Sequence, residues 1–190
     1  MGQNTARATG SARSRALLAV PLVLFAAVAV TVGSVASRTI RQPYETAFFR
    51  LFFSDPLHMK VWLLTAGLVL ALGQLVTASR IYEVLHFAPG GRFYAVVHRW
   101  SGRAAILLTL PVAYHCIFLL GFGRYGTRAV VHSVLGSIFY GTLLSKVFLV
   151  RAHGFPGWAL PVAGGLLFSI LLGLWLTSSF WFFTTLGIGI

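Results

Sequence analysis

The chain has 190 residues, of which 57% are hydrophobic and only 9% charged. A soluble domain carries roughly 25% charged residues because its surface faces water, so this composition excludes a water-soluble globule. The formal net charge of +12 comes from basic residues that stand singly between apolar segments. That arrangement is typical of helix flanks that face lipid headgroups rather than of a nucleic-acid-binding surface, and we expect no nucleic acid partner.

Five apolar stretches are long enough to cross a bilayer, which takes ~20 predominantly apolar residues. A basic tail over 1–15 is predicted to be disordered, and a first membrane anchor follows at 16–37. A four-helix transmembrane bundle is predicted over 58–183, with helices at about 61–79, 94–122, 129–150 and 158–183. Glycine and proline between the stretches separate the helices. The sequence therefore predicts an all-α integral membrane five-helix bundle.

The first apolar stretch has two interpretations. A basic leader, an apolar run and the small residues of 34–37 also fit a cleavable signal peptide. The run is longer than a signal peptide needs and four more apolar stretches follow, so we favour a retained helix.

Basic residues in the connecting segments predict the orientation, because they are enriched on the cytoplasmic side. Nine are expected on the side of the N-terminus, namely Arg7, Arg13, Arg15, Arg80, Arg92, Arg99, Arg103, Lys146 and Arg151. The remaining six of the 15 are Arg38, Arg41, Arg50, Lys60, Arg124 and Arg128. The bias places the N-terminus in the cytoplasm and the protein, as a multi-pass chain, in the plasma membrane.

Histidines are the informative polar residues, because ionisable side chains inside a membrane are costly and usually functional. Antiparallel helices place His115 and His132 in one layer, and His98 and His153 in another. Paired imidazoles at equal depth are typical of the axial ligands of a haem iron. We therefore predict that these four residues are metal ligands that bind one haem b or two.

Two further features support a haem site. His98 and Gly102, like His132 and Gly136, are four residues apart and share a helix face, so each glycine would leave room for a macrocycle beside the imidazole. Arg99 and Arg103 would offer guanidinium groups to the haem propionates.

The spacing leaves the pairing open. His98 and His115 are 17 residues apart, which turns them by about 100° around the helix. His132 and His153 are 21 apart, so His153 could instead be a loop residue. His58 lies in the same layer as His132 and could replace His115 as its partner.

The stretch 98–103, with His115 and His132 beyond it, resembles the transmembrane haem cytochromes, namely the ferric-reductase-like and ascorbate-dependent b-type cytochromes. The resemblance covers about 58–183. It implies a helical bundle that binds haem b through histidine pairs and passes electrons across the membrane, between separate redox donor and acceptor proteins or a quinol. In that family the paired histidines lie about four helical turns apart, whereas the spacings here are 17 and 21.

A haem-free protein is the alternative interpretation, either a membrane anchor or interaction subunit or a small transporter. Gln74 in the middle of the second helix and the glycines at 164, 165 and 173 would suit helix packing. Such packing would also suit a homo-oligomer or a hetero-oligomer.

Overall fold

The computed structural model describes residues 17–43, 49–85 and 92–187. Within them the chain is helical and has no strand. The helices are α1 (Ala19–Arg38), α2 (Pro56–Ile81), α3 (Arg92–Tyr114), α4 (Thr127–Arg151), α5 (Ala159–Trp175) and α6 (Trp181–Thr185). Five continuous helical segments are long and apolar enough to cross a membrane. The prediction of an all-α, five-helix membrane protein is confirmed.

Two helices continue through π-helical turns, in which the backbone hydrogen bond spans five residues instead of four. His115–Leu120 extends α3, and Leu176–Phe180 joins α5 to α6. Single π turns inside α-helices occur frequently at functional sites. Pro111 inside α3 lies four residues before the first π turn and cannot donate a backbone hydrogen bond to Leu107.

Local sequence explains where α2 begins, which is five residues before the predicted start at 61. The Asp55 carboxylate accepts hydrogen bonds from the backbone N–H of Leu57 at 2.7 Å and of His58 at 3.0 Å. Pro56 occupies the first helical position, where a missing N–H costs nothing. This N-cap satisfies the first donors of the helix.

The helices form a ring in which each packs on its neighbours in the order α1, α4, α5, α2, α3. The π turn of α3 closes the ring against α1, whereas the consecutive helices α3 and α4 make few direct contacts. The best-packed core lies between α2, α4 and α5 and consists of Leu64, Leu68, Ala71, Phe139, Ile170, Leu171 and Leu174.

Small residues of α4 let α1 approach closely. A Cβ on Gly141 would lie 2.5 Å from the Phe25 carbonyl oxygen, and the Ser145 hydroxyl donates to the Pro21 carbonyl at 2.6 Å. Beyond α1, the Thr39 hydroxyl donates to the Ile117 carbonyl at 2.9 Å. The first helix is therefore an integral wall of the bundle.

Some predictions fall on other parts of the chain. The basic tail over 1–15 lies outside the described residues. The orientation of the N-terminus also stays a prediction, because helix packing does not distinguish the two sides of a membrane.

Candidate functional site

A cavity of about 250 Å³ lies inside the ring of helices, where α3 and α4 diverge. All five spans contribute to its wall, and the volume approaches the roughly 300–1,000 Å³ of small-molecule sites. The cavity runs from the level of Leu64, Thr109 and Tyr140 to the end of the bundle formed by Arg41, Tyr125 and Trp181. We call this the cavity end.

His132 is the histidine in the cavity wall. It lies five residues after the start of α4 at Thr127, which corresponds to a depth of about 7.5 Å along the helix. Its Nδ1 atom is 2.9 Å from the hydroxyl oxygen of Thr177 on the second π turn. This contact joins α4 to α5 and fixes the imidazole ring.

Gly136 lies one helical turn beyond His132 and also lines the cavity. A Cβ added at this position would have no atom within 4 Å, so the glycine faces open space. The predicted gap beside an imidazole is therefore present at Gly136.

The corresponding gap at Gly102 is absent. A Cβ on Gly102 would lie 3.1 Å from the Gln74 side-chain oxygen, so the Gln74 amide fills the space that was predicted for a macrocycle. The same amide donates to the His98 carbonyl and to the Ser101 hydroxyl, both at 2.6 Å. Hydrogen bonds of this kind hold membrane helices together, so the residues here join α2 to α3.

His98 faces α2 and lies away from the cavity. Its Nδ1 atom is 2.9 Å from the hydroxyl oxygen of Thr77. His153, its predicted partner, is exposed and follows the last residue of α4, Arg151. His153 thus lies in the connection between α4 and α5, and neither histidine of this predicted inner pair is in the cavity wall.

His115 is completely buried, but it is not among the described residues that line the cavity. Its ring packs against Phe49, with 4.4 Å between ring centres. The neighbouring residue Cys116 is the one that faces the cavity. Of the predicted pair His115 and His132, the structure therefore places His132 in the cavity wall and His115 behind it, within the π turn.

His58 is also outside the cavity wall, although Leu57 and Lys60 on either side of it belong to that wall. Its Nδ1 atom is bonded to the Asp55 carboxylate, and its ring stands edge-on to Phe182, with 5.1 Å between ring centres. Desolvation alone would raise the pKa of Asp55, but the hydrogen bonds from His58 and Leu57 lower it overall.

Three basic residues line the cavity: Arg41, Lys60 and Arg128. Lys60 is buried, and it lies within electrostatic range of both His115 and His132. Among the described residues of the wall there is no aspartate or glutamate. The cavity is therefore electropositive and otherwise largely apolar.

Aromatic rings hold the two arginines at the cavity end. The guanidinium carbon of Arg41 is 5.3 Å from the ring centre of Tyr125, and that of Arg128 is 3.8 Å from the ring centre of Trp181. Arg128 also donates to the Thr177 carbonyl at 2.6 Å. Cation–π contacts of this kind orient a guanidinium group while leaving its N–H donors available.

The two arginines that the sequence predicts as partners of the haem propionates do not line the cavity. Arg99 and Arg103 are exposed on α3, and the guanidinium carbon of Arg103 is 4.9 Å from the ring centre of Trp100. Sequence reasoning had assigned Arg41, Lys60 and Arg128 to the membrane flanks. One signal could have identified Arg128, since it precedes His132 by four residues and so shares its helix face.

No group of three histidine, cysteine, aspartate or glutamate residues that could hold a metal ion occurs within 17–43, 49–85 and 92–187. The fold and the cavity thus define a multi-pass membrane protein with an electropositive internal cavity, whose wall includes one histidine among the residues that the structure describes.

Residues 18–190 match the model of a family of unknown function, DUF6529, and the chain belongs to that family. No curated protein and no solved structure matches the chain.

Proposed function

We propose that the protein is a b-type cytochrome of the cell membrane that binds one haem in the cavity, with His132 as an axial ligand, and relays electrons between separate partners. The observation that carries this proposal is the juxtaposition of His132, the open space at Gly136 and the divergence of α3 from α4. Ordinary helix packing, at ~8–10 Å between axes, would leave no room for a macrocycle.

The chemistry of the cavity wall supports this proposal. Haem b is a flat apolar ring with an anionic edge, and the cavity combines an apolar wall with Lys60 inside it and Arg41 and Arg128 at its end. Charge-assisted hydrogen bonds from guanidinium groups are strong and suit carboxylates. In this proposal the three basic residues hold the propionates, Gly136 leaves room for the ring and the apolar wall excludes water. The haem itself would supply reversible one-electron chemistry.

Absorption spectroscopy tests the ligand. We expect the wild-type protein, purified after haem-replete expression, to show a Soret band, and His132→Ala to lose it. His153→Ala is the matched control, because that histidine is exposed and outside the helices, and it should retain the full band. A wild-type protein without a Soret band, or a His132→Ala protein that keeps it, would contradict the proposal.

A second spectrum tests whether His115 completes a pair. To reach the cavity, its ring would have to leave the contact with Phe49. If His132 is the single protein ligand, His115→Ala should leave the oxidised and reduced spectra unchanged. If both are ligands, His115→Ala should convert a low-spin spectrum to a high-spin one.

The second candidate is a haem-free binding protein for a smaller amphipathic anion, and the cavity volume of about 250 Å³ favours it. The same three basic residues would bind the anionic group, and an anchor subunit or small transporter could use such a site. This function predicts no Soret band at all. It also predicts that Lys60→Met abolishes the thermal stabilisation of the haem-free protein by an added fatty acid.

A further inference from the structure

The contact between Thr177 and His132 determines where the imidazole carries its proton. The Thr177 hydroxyl oxygen lies 2.9 Å from His132 Nδ1 and 2.8 Å from the Gly173 carbonyl oxygen, one turn earlier in α5. A hydroxyl has one hydrogen and two lone pairs. The hydroxyl oxygen also lies 3.1 Å from the Leu174 carbonyl oxygen, so two helix carbonyls are available to accept its hydrogen. A hydroxyl that donates to either carbonyl can only accept a hydrogen bond from His132, and this requires the proton on Nδ1.

A neutral imidazole protonated on Nδ1 has its lone pair on Nε2. This is the atom and the tautomer with which histidine commonly binds a metal, and the hydrogen bond at the other nitrogen selects it. We propose that Thr177 is a positioning residue that fixes the Nδ1–H tautomer of His132 and so presents the Nε2 lone pair to the cavity for coordination. The coordination part of this inference rests on the proposed function.

Thr177 is well placed for this role because it is held at two atoms. Its hydroxyl contacts His132, and its carbonyl accepts a hydrogen bond from Arg128 at 2.6 Å. Arg128 and His132 are four residues apart and so lie on one face of α4. The π turn that contains Thr177 thus anchors both the imidazole and a basic group of the cavity end.

The protein contains a matched pair at the opposite end of the bundle. The Thr77 hydroxyl oxygen is 2.9 Å from His98 Nδ1 and 2.8 Å from the Gly73 carbonyl oxygen. These distances equal those of the Thr177 pair. At His98, however, the Gln74 amide fills the space beside the ring. His98 is not in the wall of the cavity, so Thr77 provides a control with the same hydrogen bonding outside that cavity.

Nitrogen NMR of ¹⁵N-histidine-labelled, haem-free protein tests the tautomer directly. We expect His132 in the wild type to be protonated on Nδ1. Thr177→Val removes the hydroxyl at nearly constant shape and should shift the population towards the Nε2–H form, whereas Thr177→Ser should preserve the wild-type spectrum. Thr77→Val should change the His98 signals alone. A wild-type Nε2–H tautomer overturns the proposal, and that result needs no variant to fold.

Haem titration then tests the consequence for binding. Loss of such a supporting hydrogen bond typically weakens metal binding by ~10–100-fold, so we expect a loss of that size for Thr177→Val and none for Thr177→Ser or Thr77→Val. Unchanged affinity in Thr177→Val would refute the positioning role while leaving His132 as a ligand. If the wild type binds no haem, the proposed function fails, and with it the coordination part. The NMR spectra still decide whether Thr177 fixes the tautomer.

Discussion

The close packing of α1 on α4 makes a quantitative prediction for Gly141. An alanine there would place its Cβ 2.5 Å from the Phe25 carbonyl oxygen and 3.3 Å from the Ala29 Cβ, whereas ordinary contacts begin at 3.4 Å. The carbonyl belongs to the helical backbone of α1 and cannot rotate away. The helices must therefore separate, which weakens the Ser145–Pro21 hydrogen bond. Overpacking of this kind costs about 1–3 kcal/mol.

Gly136→Ala is the matched control on the same helix, because its Cβ would have no atom within 4 Å. Each substitution also removes a helix glycine, which favours the variant by up to ~1 kcal/mol in water. This contribution cancels between the two variants, so Gly141→Ala should be less stable than Gly136→Ala by the overpacking cost, about 1–3 kcal/mol.

Thermal unfolding of the haem-free proteins in one detergent measures the difference. Cys116 is the single cysteine of the chain, so a thiol-reactive fluorophore that reports its exposure follows unfolding without further labelling. We expect Gly141→Ala to melt below both the wild type and Gly136→Ala. Equal melting temperatures for the two variants would refute the close contact between α1 and α4.

Three further predictions concern single interactions. Gln74→Leu removes two hydrogen bonds between α2 and α3 and should lower the free energy of unfolding in detergent by about 1 kcal/mol. An unchanged free energy of unfolding would show that the amide does not join the two helices. Trp175→Phe removes the 2.9 Å hydrogen bond from the indole N–H to the Thr65 hydroxyl, which joins α5 to α2, and should lower the free energy of unfolding by about 0.5–1.5 kcal/mol. Trp158→Phe, at an exposed position, should lower it less. Hydrogen bonding lowers the pKa of Asp55 in the folded state. The ionised Asp55 carboxylate therefore stabilises the fold above the ordinary aspartate pKa, and this stabilisation disappears as the pH falls through the lowered pKa. Asp55→Asn should lose less stability on acidification than the wild type, as measured by melting temperature against pH.

Two residues of the cavity wall, His132 and Gly136, could be predicted from the sequence for a physical reason that held. His132 and Gly136 are four residues apart on one helix, and this spacing fixes a shared face whatever the helix packs against. His132 does line the cavity beside an open glycine. His98 and Gly102 also share a helix face, but the space beside Gly102 is filled by the Gln74 side chain. Gln74 belongs to another helix, so the spacing within α3 could not predict this contact.

The direction of the His115 side chain could not be predicted from the sequence. Its depth followed from counting residues, but its direction depends on the π turn at His115–Leu120, which changes the angle per residue. The sequence predicts Arg41 and Lys60 as flanking charges, and only the closure of the ring places them in the wall of the same cavity as His132.

The sequence by itself determined that the chain is a membrane protein and that it has five spanning helices, because the length of an apolar run and the polarity between runs depend on the residues alone. Tertiary structure decided which faces of those helices meet. In a soluble protein a polar face marks the outward side of a helix, whereas lipid accepts an apolar surface in every direction. The rotation of each helix is therefore set by close packing, such as that at Gly141, and by side-chain hydrogen bonds, such as that between Thr177 and His132.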